Sequence, residues 1–257
     1  MLIPPLLRRW LRRLSDFTGV EIHVSPPSMP VEFSNADRAL VRRVQDQRLS
    51  MGSDLRLYAT LLACKHVVAA GIPGDFVECG VWRGGQAMLA QGLFKRTEAP
   101  RKVYLYDTFG GMTAPSFEDV AYSGAVARDA FLSKQRGDHN AWCFASLDEV
   151  KGHFLAAGLL DDNVVFVKGD VAETLRDIST LPEQIAVLRL DTDWYDSTRL
   201  ELEILYPRLA AGGVLIIDDY GHWGGCQKAV DEYFQHRNDR PMLQYVDYTA
   251  RLAIKRS

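Results

Sequence analysis

The chain predicts an α/β protein with a mostly parallel, Rossmann-like sheet, and three observations carry that expectation. Five apolar, strand-like runs each end at a carboxylate: Asp75–Glu78, Val103–Asp107, Val164–Asp170, Ile185–Asp191 and Val214–Asp219. Helical patterns separate most of these runs, and strand–helix alternation implies parallel strands joined by right-handed crossovers. The first run passes directly into a glycine-containing turn. In an open parallel sheet the carboxyl ends of the strands share one rim, where ligands bind. The rim expected here is acidic, suited to a cation, to sugar hydroxyls, or to both.

At 257 residues one large domain is expected. Residues 1–14 form a basic amphipathic arm in which Leu6, Leu7, Trp10, Leu11 and Leu14 alternate with Arg8, Arg9, Arg12 and Arg13. Fourteen residues containing two prolines make a weak membrane anchor, so the arm reads as packing on its own domain or on a sister subunit rather than as a peripheral membrane contact. Ser25–Pro30 is a linker. Helices follow over 37–49 and 54–70, the second stopped by Gly71-Ile72-Pro73-Gly74. Residues 1–70 thus form an arm and cover, and 71–257 the sheet domain. Within it, strand 75–81 leads to helix 86–95 and strand 102–107, and a lid-like insertion occupies 108–160. Strand 163–168, a short helix near 173–177, strand 185–191, helix 196–209, strand 213–218 and helix 225–236 come next. Leu243–Tyr248 and Arg251–Lys255 read as a closing antiparallel hairpin.

A hydrophobic content of 47% is enough to fill a core, while a net charge of -3 with acids gathered on the rim disfavours nucleic acid. Cys64, Cys79, Cys143 and Cys226 show neither CxxC spacing nor the density of a disulfide framework, which points to free thiols in a reducing cytoplasm. No apolar run approaches the roughly 20 residues needed to span a bilayer. The start of the chain, broken by Pro4 and Pro5, lacks a secretory apolar region.

The glycine turn lies in Asp75-Phe-Val-Glu-Cys-Gly-Val-Trp-Arg-Gly-Gly85. It is not a dinucleotide fingerprint, because Trp82 stands where a second glycine is required, and no Gly-Lys-Ser/Thr follows to make a P-loop. Glu78, just ahead of Gly80, would repel pyrophosphate and suits a cationic ligand. S-adenosylmethionine carries an ammonium and a sulfonium and no phosphate, so this turn favours it over a nicotinamide cofactor. At the second strand end Asp107, with Thr108 beside it, stands where Rossmann-like sites accept ribose hydroxyls. At the third, Gly169 and Asp170 are placed to meet adenine.

The fourth and fifth strand ends supply Asp191 and the pair Asp218 and Asp219. Adjacent strands lie roughly 4.8 Å apart, so these acids can surround one ion. All-oxygen ligation without paired His or Cys selects Mg²⁺, Mn²⁺ or Ca²⁺ over zinc. Asp196 or Ser197 is expected to cap the following helix, and Asp193 is either a spare ligand or a turn residue.

Four stretches in order, GIPGDFVECGVWRGGQAML (71–89), VYLYDTFGGM (103–112), LRLDTDWYDST (188–198) and VLIIDDYGHWGGCQKAVDEYF (214–234), resemble the macrocin O-methyltransferase family. Its members are S-adenosylmethionine- and Mg²⁺-dependent enzymes that methylate sugar hydroxyls on glycosides. The resemblance implies a class I methyltransferase fold, Asp191, Asp218 and Asp219 as Mg²⁺ ligands, and Glu78, Gly80 and Asp107 at the cofactor. Met51-Gly52-Ser53 resembles the family's Met-Thr-Ser, which implies that Met51 and Ser53 reach the methionine end of the cofactor. Gly52 departs from the pattern and offers no side chain.

Methyl transfer to a sugar oxygen needs no acid for its neutral thioether leaving group. It needs help with a hydroxyl whose pKa lies far above neutrality, from a bound cation and a base. The resemblance implies Asp191 as base as well as ligand, and His222, on the same rim, is the rival. The insertion carries Phe109, Met112, Phe117, Tyr122, Phe131, Trp142 and Phe144, most of them expected to pack, while Trp194 and Trp223 are better placed to stack on an acceptor sugar. The expected partner is a small glycoside or saccharide, and the expected assembly a homodimer or larger. Rival readings are a metal-dependent catechol-type O-methyltransferase, a nicotinamide-dependent sugar oxidoreductase and a non-catalytic scaffold.

Overall fold

A computed structural model describes residues 29–97 and 100–256, so the basic arm and most of the expected linker lie outside the described residues. By its internal contacts the chain divides into two units, 1–38 and 39–257. In the first, Ser34 and Asp37 cap each other reciprocally: the Ser34 amide donates to Asp37 Oδ2 (2.9 Å) and the Asp37 amide to Ser34 Oγ (3.2 Å). This is a capping box in form, and α1 (Asn35–Asp46) starts from it.

Helix α2 (Asp54–Ala69) belongs with the second unit because Leu57, Leu61, Cys64 and Val67 are buried and the helix packs on the sheet. Ser53 caps it, accepting from the Arg56 amide at 3.3 Å. The sheet contains β1 (Asp75–Cys79), β2 (Val103–Asp107), β5 (Val164–Lys168), β6 (Ile185–Leu190), β7 (Leu209–Ile217), β8 (Gln244–Tyr245) and β9 (Arg251–Ile254), in the order β5-β2-β1-β6-β7-β9-β8. Strands β5, β2, β1, β6 and β7 are parallel; β9 runs antiparallel to β7 and to β8, as a closing hairpin requires. From β1 the order proceeds one way through β2 to β5 and the other way through β6 to β7. The switch point therefore lies between β1 and β6, where the crevice for a ligand is expected.

Crossover helices α3 (Gly85–Phe94), α7 (Tyr195–Leu205) and α8 (Gly224–Phe234) follow their strands. Helix α7 stops earlier than its periodicity suggests because Pro207 turns the chain into a short 3-10 segment, Tyr206–Arg208. Between β2 and β5 lie α4 (Ala127–Ser133), the small hairpin β3 (Gln135–Arg136) and β4 (His139–Asn140), and α5 (Leu147–Ala156). Helix α5 is the crossover itself: Val150 and Phe154 stand against Gly84, at the start of α3. Within the expected insertion 108–160, residues 108–146 precede this crossover helix. After β5 comes α6 (Val171–Thr174). Every residue of β6 is buried, including Arg189.

Candidate active site

A cavity of about 400 Å³ opens above the carboxyl ends of the strands. The glycine turn forms its base. Gly80 (φ +81°) and Gly84 (φ +87°) adopt left-handed backbone, with Trp82 (φ +46°) between them. At Gly80 a Cβ would stand 1.9 Å from the carbonyl oxygen of Asp191, so only glycine lets β1 and β6 approach this closely. Asp107 stitches the turn. Its Oδ2 accepts the amides of Val81 (2.6 Å) and Trp82 (3.0 Å), and its Oδ1 that of Phe109 (2.7 Å). The ribose reading of Asp107 therefore shares the carboxylate with three amides, leaving about one of its four acceptor positions for a ligand. Burial is the largest influence and raises its pKa against those amides. Thr108 is on the wall, its hydroxyl donating to the Gly111 carbonyl at 2.7 Å.

The expected cofactor residues divide by position. Met51, Gly80, Asp107, Thr108 and Asp170 line the cavity; Ser53, Glu78 and Gly169 do not. Ser53 caps α2 and donates to Asp247 Oδ2 at 2.5 Å. Gly169 sits against Thr174, and its amide donates to the Asp107 carbonyl at 2.9 Å. Asp170 caps α6 through the Ala172 amide. Glu78 is buried, with Oε1 accepting from Arg189 at 3.1 Å and Oε2 unpartnered. Burial pushes its pKa up to about 8 despite the adjacent guanidinium.

Asp191, Asp218 and Asp219 converge as the strand ends require, each offering an oxygen within 4.8 Å of the others. Arg189 organises them. It bonds Glu78, Asp191 and Asp218 at once, and Arg56 from α2 reaches the other oxygen of Asp218 as well as Asp247, at 3.2 Å. Arg189 was not among the expected site residues, although a charge in an apolar strand, two residues before Asp191, projects from the same face. Among the described residues Asp219 Oδ2 is buried with no hydrogen-bond partner. Burial first, then the neighbouring acids, hold Asp191 and Asp219 well above the usual carboxylate range. An oxygen donor set with an orphaned carboxylate oxygen fits a hard divalent cation. Asp193 adds a fourth acid to the wall, in left-handed backbone (φ +67°) and accepting from Trp223 Nε1 at 2.7 Å. Burial raises its pKa to about 7.

His222 lines the cavity, its Nδ1 3.2 Å from the Tyr248 hydroxyl. Burial and then the charge of Arg56 depress its pKa, which favours the neutral ring. Of the two expected stacking residues only Trp223 is on the wall. Trp194 is buried at 2% exposure, with Nε1 donating to the Thr113 carbonyl at 3.0 Å. Trp142 of the insertion takes the wall position, its ring centroid 5.7 Å from that of Trp194 and 6.1 Å from that of Trp223. Neither Asp196 nor Ser197 caps α7. Asp119 of the insertion does so, accepting the Tyr195 amide at 2.8 Å, a contact between distant residues that no local pattern signals.

Among curated proteins, the chain is 41% identical over 168 residues to an O-methyltransferase of Streptomyces olivaceus named for the 4'-position of 8-demethyl-8-(2,3-dimethoxy-alpha-L-rhamnosyl)-tetracenomycin C, covering 65% of this chain and 60% of that one. It is 38% identical over 169 residues to the demethyldecarbamoylnovobiocin O-methyltransferase of Streptomyces niveus, again covering 65% and 60%. The matches thus span about 60% of the length of these relatives. Among solved structures, the O-methyltransferase NovP superposes with a TM-score of 0.69 at 32% identity, covering 81% of this chain and 82% of that one. The calicheamicin methyltransferase CalS11 shares the fold at 18% identity, covering 90% of this chain and 99% of that one, with a TM-score of 0.53. The macrocin-O-methyltransferase (TylF) family model matches residues 18–253, and a match of that extent makes this chain a member of the macrocin O-methyltransferase family.

Proposed function

We propose that the protein is an S-adenosylmethionine- and Mg²⁺-dependent O-methyltransferase acting on a sugar hydroxyl of a glycosylated natural product or related saccharide. One observation carries this reading: the Asp191, Asp218 and Asp219 cluster, with its unpartnered Asp219 oxygen, shares one cavity with the Gly80 turn. The relative named for the 4'-position of a rhamnosyl-tetracenomycin supports the acceptor class.

Asp191, Asp218 and Asp219 would hold the ion, which supplies an electrophile that acidifies and orients the acceptor hydroxyl. The glycine turn, Met51, Thr108 and Asp170 would hold the cofactor, which supplies a methyl group on a sulfonium. Asp191 is the base we favour. Arg189 holds its Oδ2, so the remaining lone pairs of the carboxylate would serve both the ion and the acceptor proton. His222 is the second candidate, since a neutral ring can accept a proton there. Trp142 and Trp223 wall the cavity and reduce water around the reacting centre. The assembly proposed is a homodimer or larger, in the cytoplasm, where the four free cysteines stay reduced. Among the described residues no helix is long and apolar enough to cross a membrane.

The test is cofactor consumption against a panel of deoxysugar glycosides and nucleotide sugars, with Mg²⁺ or with EDTA. Turnover that requires Mg²⁺ and a sugar acceptor is expected. Asp191→Asn should keep S-adenosylhomocysteine binding and lose at least about a hundredfold in turnover. Full activity in EDTA, or in that variant, would sink the assignment.

A further inference from the structure

Gln86, the second residue of α3, is 3% exposed and lies on the cavity wall. Among the described residues neither its Oε1 nor its Nε2 has a hydrogen-bond partner. A primary amide offers two donors and an acceptor, and burying all of them unpaired is unfavourable unless a ligand answers them. Arg56, on the same wall, is already engaged: its Nε pairs with Asp247 Oδ2 at 3.2 Å and its Nη1 with Asp218. The Gln86 amide by itself presents N–H donors for a carboxylate and an oxygen acceptor for an ammonium. That combination matches the zwitterionic end of an α-amino acid.

Gly52 bears on the same place. It also lines the cavity, and a Cβ built there would stand 3.0 Å from Gln86 Nε2 and 3.2 Å from Ser50 Oγ. The Gln86 amide thus lies where a side chain at position 52 would extend. In the Met-Thr-Ser pattern that Met51-Gly52-Ser53 resembles, a hydroxyl-bearing residue stands at that position.

We propose that Gln86 binds the amino-acid end of S-adenosylmethionine, in place of a side chain at position 52, and that Gly52 leaves room for it. This rests on the cofactor assignment above. The test measures binding of two ligands by calorimetry to the full chain: S-adenosylhomocysteine, and 5'-methylthioadenosine, which keeps the nucleoside and lacks the amino-acid group. Gln86→Leu should weaken S-adenosylhomocysteine about ten- to a hundredfold, the usual loss for a hydrogen bond to a charged group, and leave methylthioadenosine within about twofold. Gln86→Glu, which keeps the shape but sets a carboxylate against the ligand's own, should give the same contrast. Gly52→Thr alone should also weaken S-adenosylhomocysteine by crowding the amide, and Gln86→Ala with Gly52→Thr should recover most of the binding. An unchanged ratio of the two affinities in both Gln86 variants would overturn the proposal while leaving the cofactor assignment intact. Failure of the unaltered protein to bind either ligand would overturn both.

Discussion

The guanidinium of Arg189 is 1% exposed and meets three carboxylates, so its loss would leave like charges facing one another in a buried setting. Removing one partner of a buried ion pair costs about 3–5 kcal/mol. Arg189→Met is therefore expected to lower stability in urea by about that amount, and a loss under about 1 kcal/mol would show that the carboxylates do not depend on it. Glu201 gives a pH signature. It is fully buried, accepts from Thr192 Oγ1 at 2.9 Å, and has its pKa raised by burial from 4.5 to about 8. A carboxyl raised on folding stabilises the native state in full below the unfolded pKa. That contribution is lost as pH rises toward 8, with a slope of up to about 1.4 kcal/mol per pH unit. Glu201→Gln carries no such titration. Denaturation at pH 5 and pH 7.5 should show a flatter profile for the variant than for the parent, and parallel profiles would place the titration elsewhere.

The insertion is tied to the catalytic face at one buried acid. Asp119 accepts the first amide of α7 through Oδ1 and the amide and hydroxyl of Ser116 through Oδ2, at 2.7 and 2.9 Å. Gly225, in the first turn of α8, has no room for a Cβ because Asp119 Oδ1 would lie 2.0 Å away. Asp119 thus helps to set the insertion against the starts of α7 and α8, the two helices that follow the strands ending at Asp191 and Asp218. Asp119→Ala removes a helix cap and orphans buried groups, and a loss of about 2–3 kcal/mol is expected in thermal or urea denaturation. Tryptophan fluorescence should change as well, since Trp142, Trp194 and Trp223 pack together beside this junction. Unchanged stability and emission would detach the insertion from the site.

Across the whole molecule, the sheet brings more negative than positive charge to one rim. Arg189 and Arg56 face Glu78, Asp191, Asp193, Asp218 and Asp219 around the cavity. A divalent cation that binds only the folded state should then stabilise it, by about 2.7 kcal/mol at a hundredfold excess over its Kd. Thermal denaturation with and without MgCl₂ is expected to show a rise in Tm for the unaltered protein and little or none for Asp219→Asn. Equal shifts in both would mean that Mg²⁺ acts elsewhere.

The strand-end acids Asp107, Asp191, Asp218 and Asp219, the glycine turn after β1 and the closing hairpin were all legible in the chain, because strand endings and turn glycines obey local rules of periodicity and backbone sterics. Arg189 was not among the expected site residues, although the period of two that sets it on the face of Asp191 is a signal in the sequence. The other decisive contacts depended on folding. Asp119 caps a helix that begins 76 residues later, Arg56 crosses from α2 to Asp218, Trp142 replaces Trp194 on the wall, and Gln86 lies beside Gly52. Each joins residues distant in sequence and adjacent only once the sheet has set its strand order. Hydrogen bonds and packing are made in space, and local pattern carries no record of which distant partner will arrive.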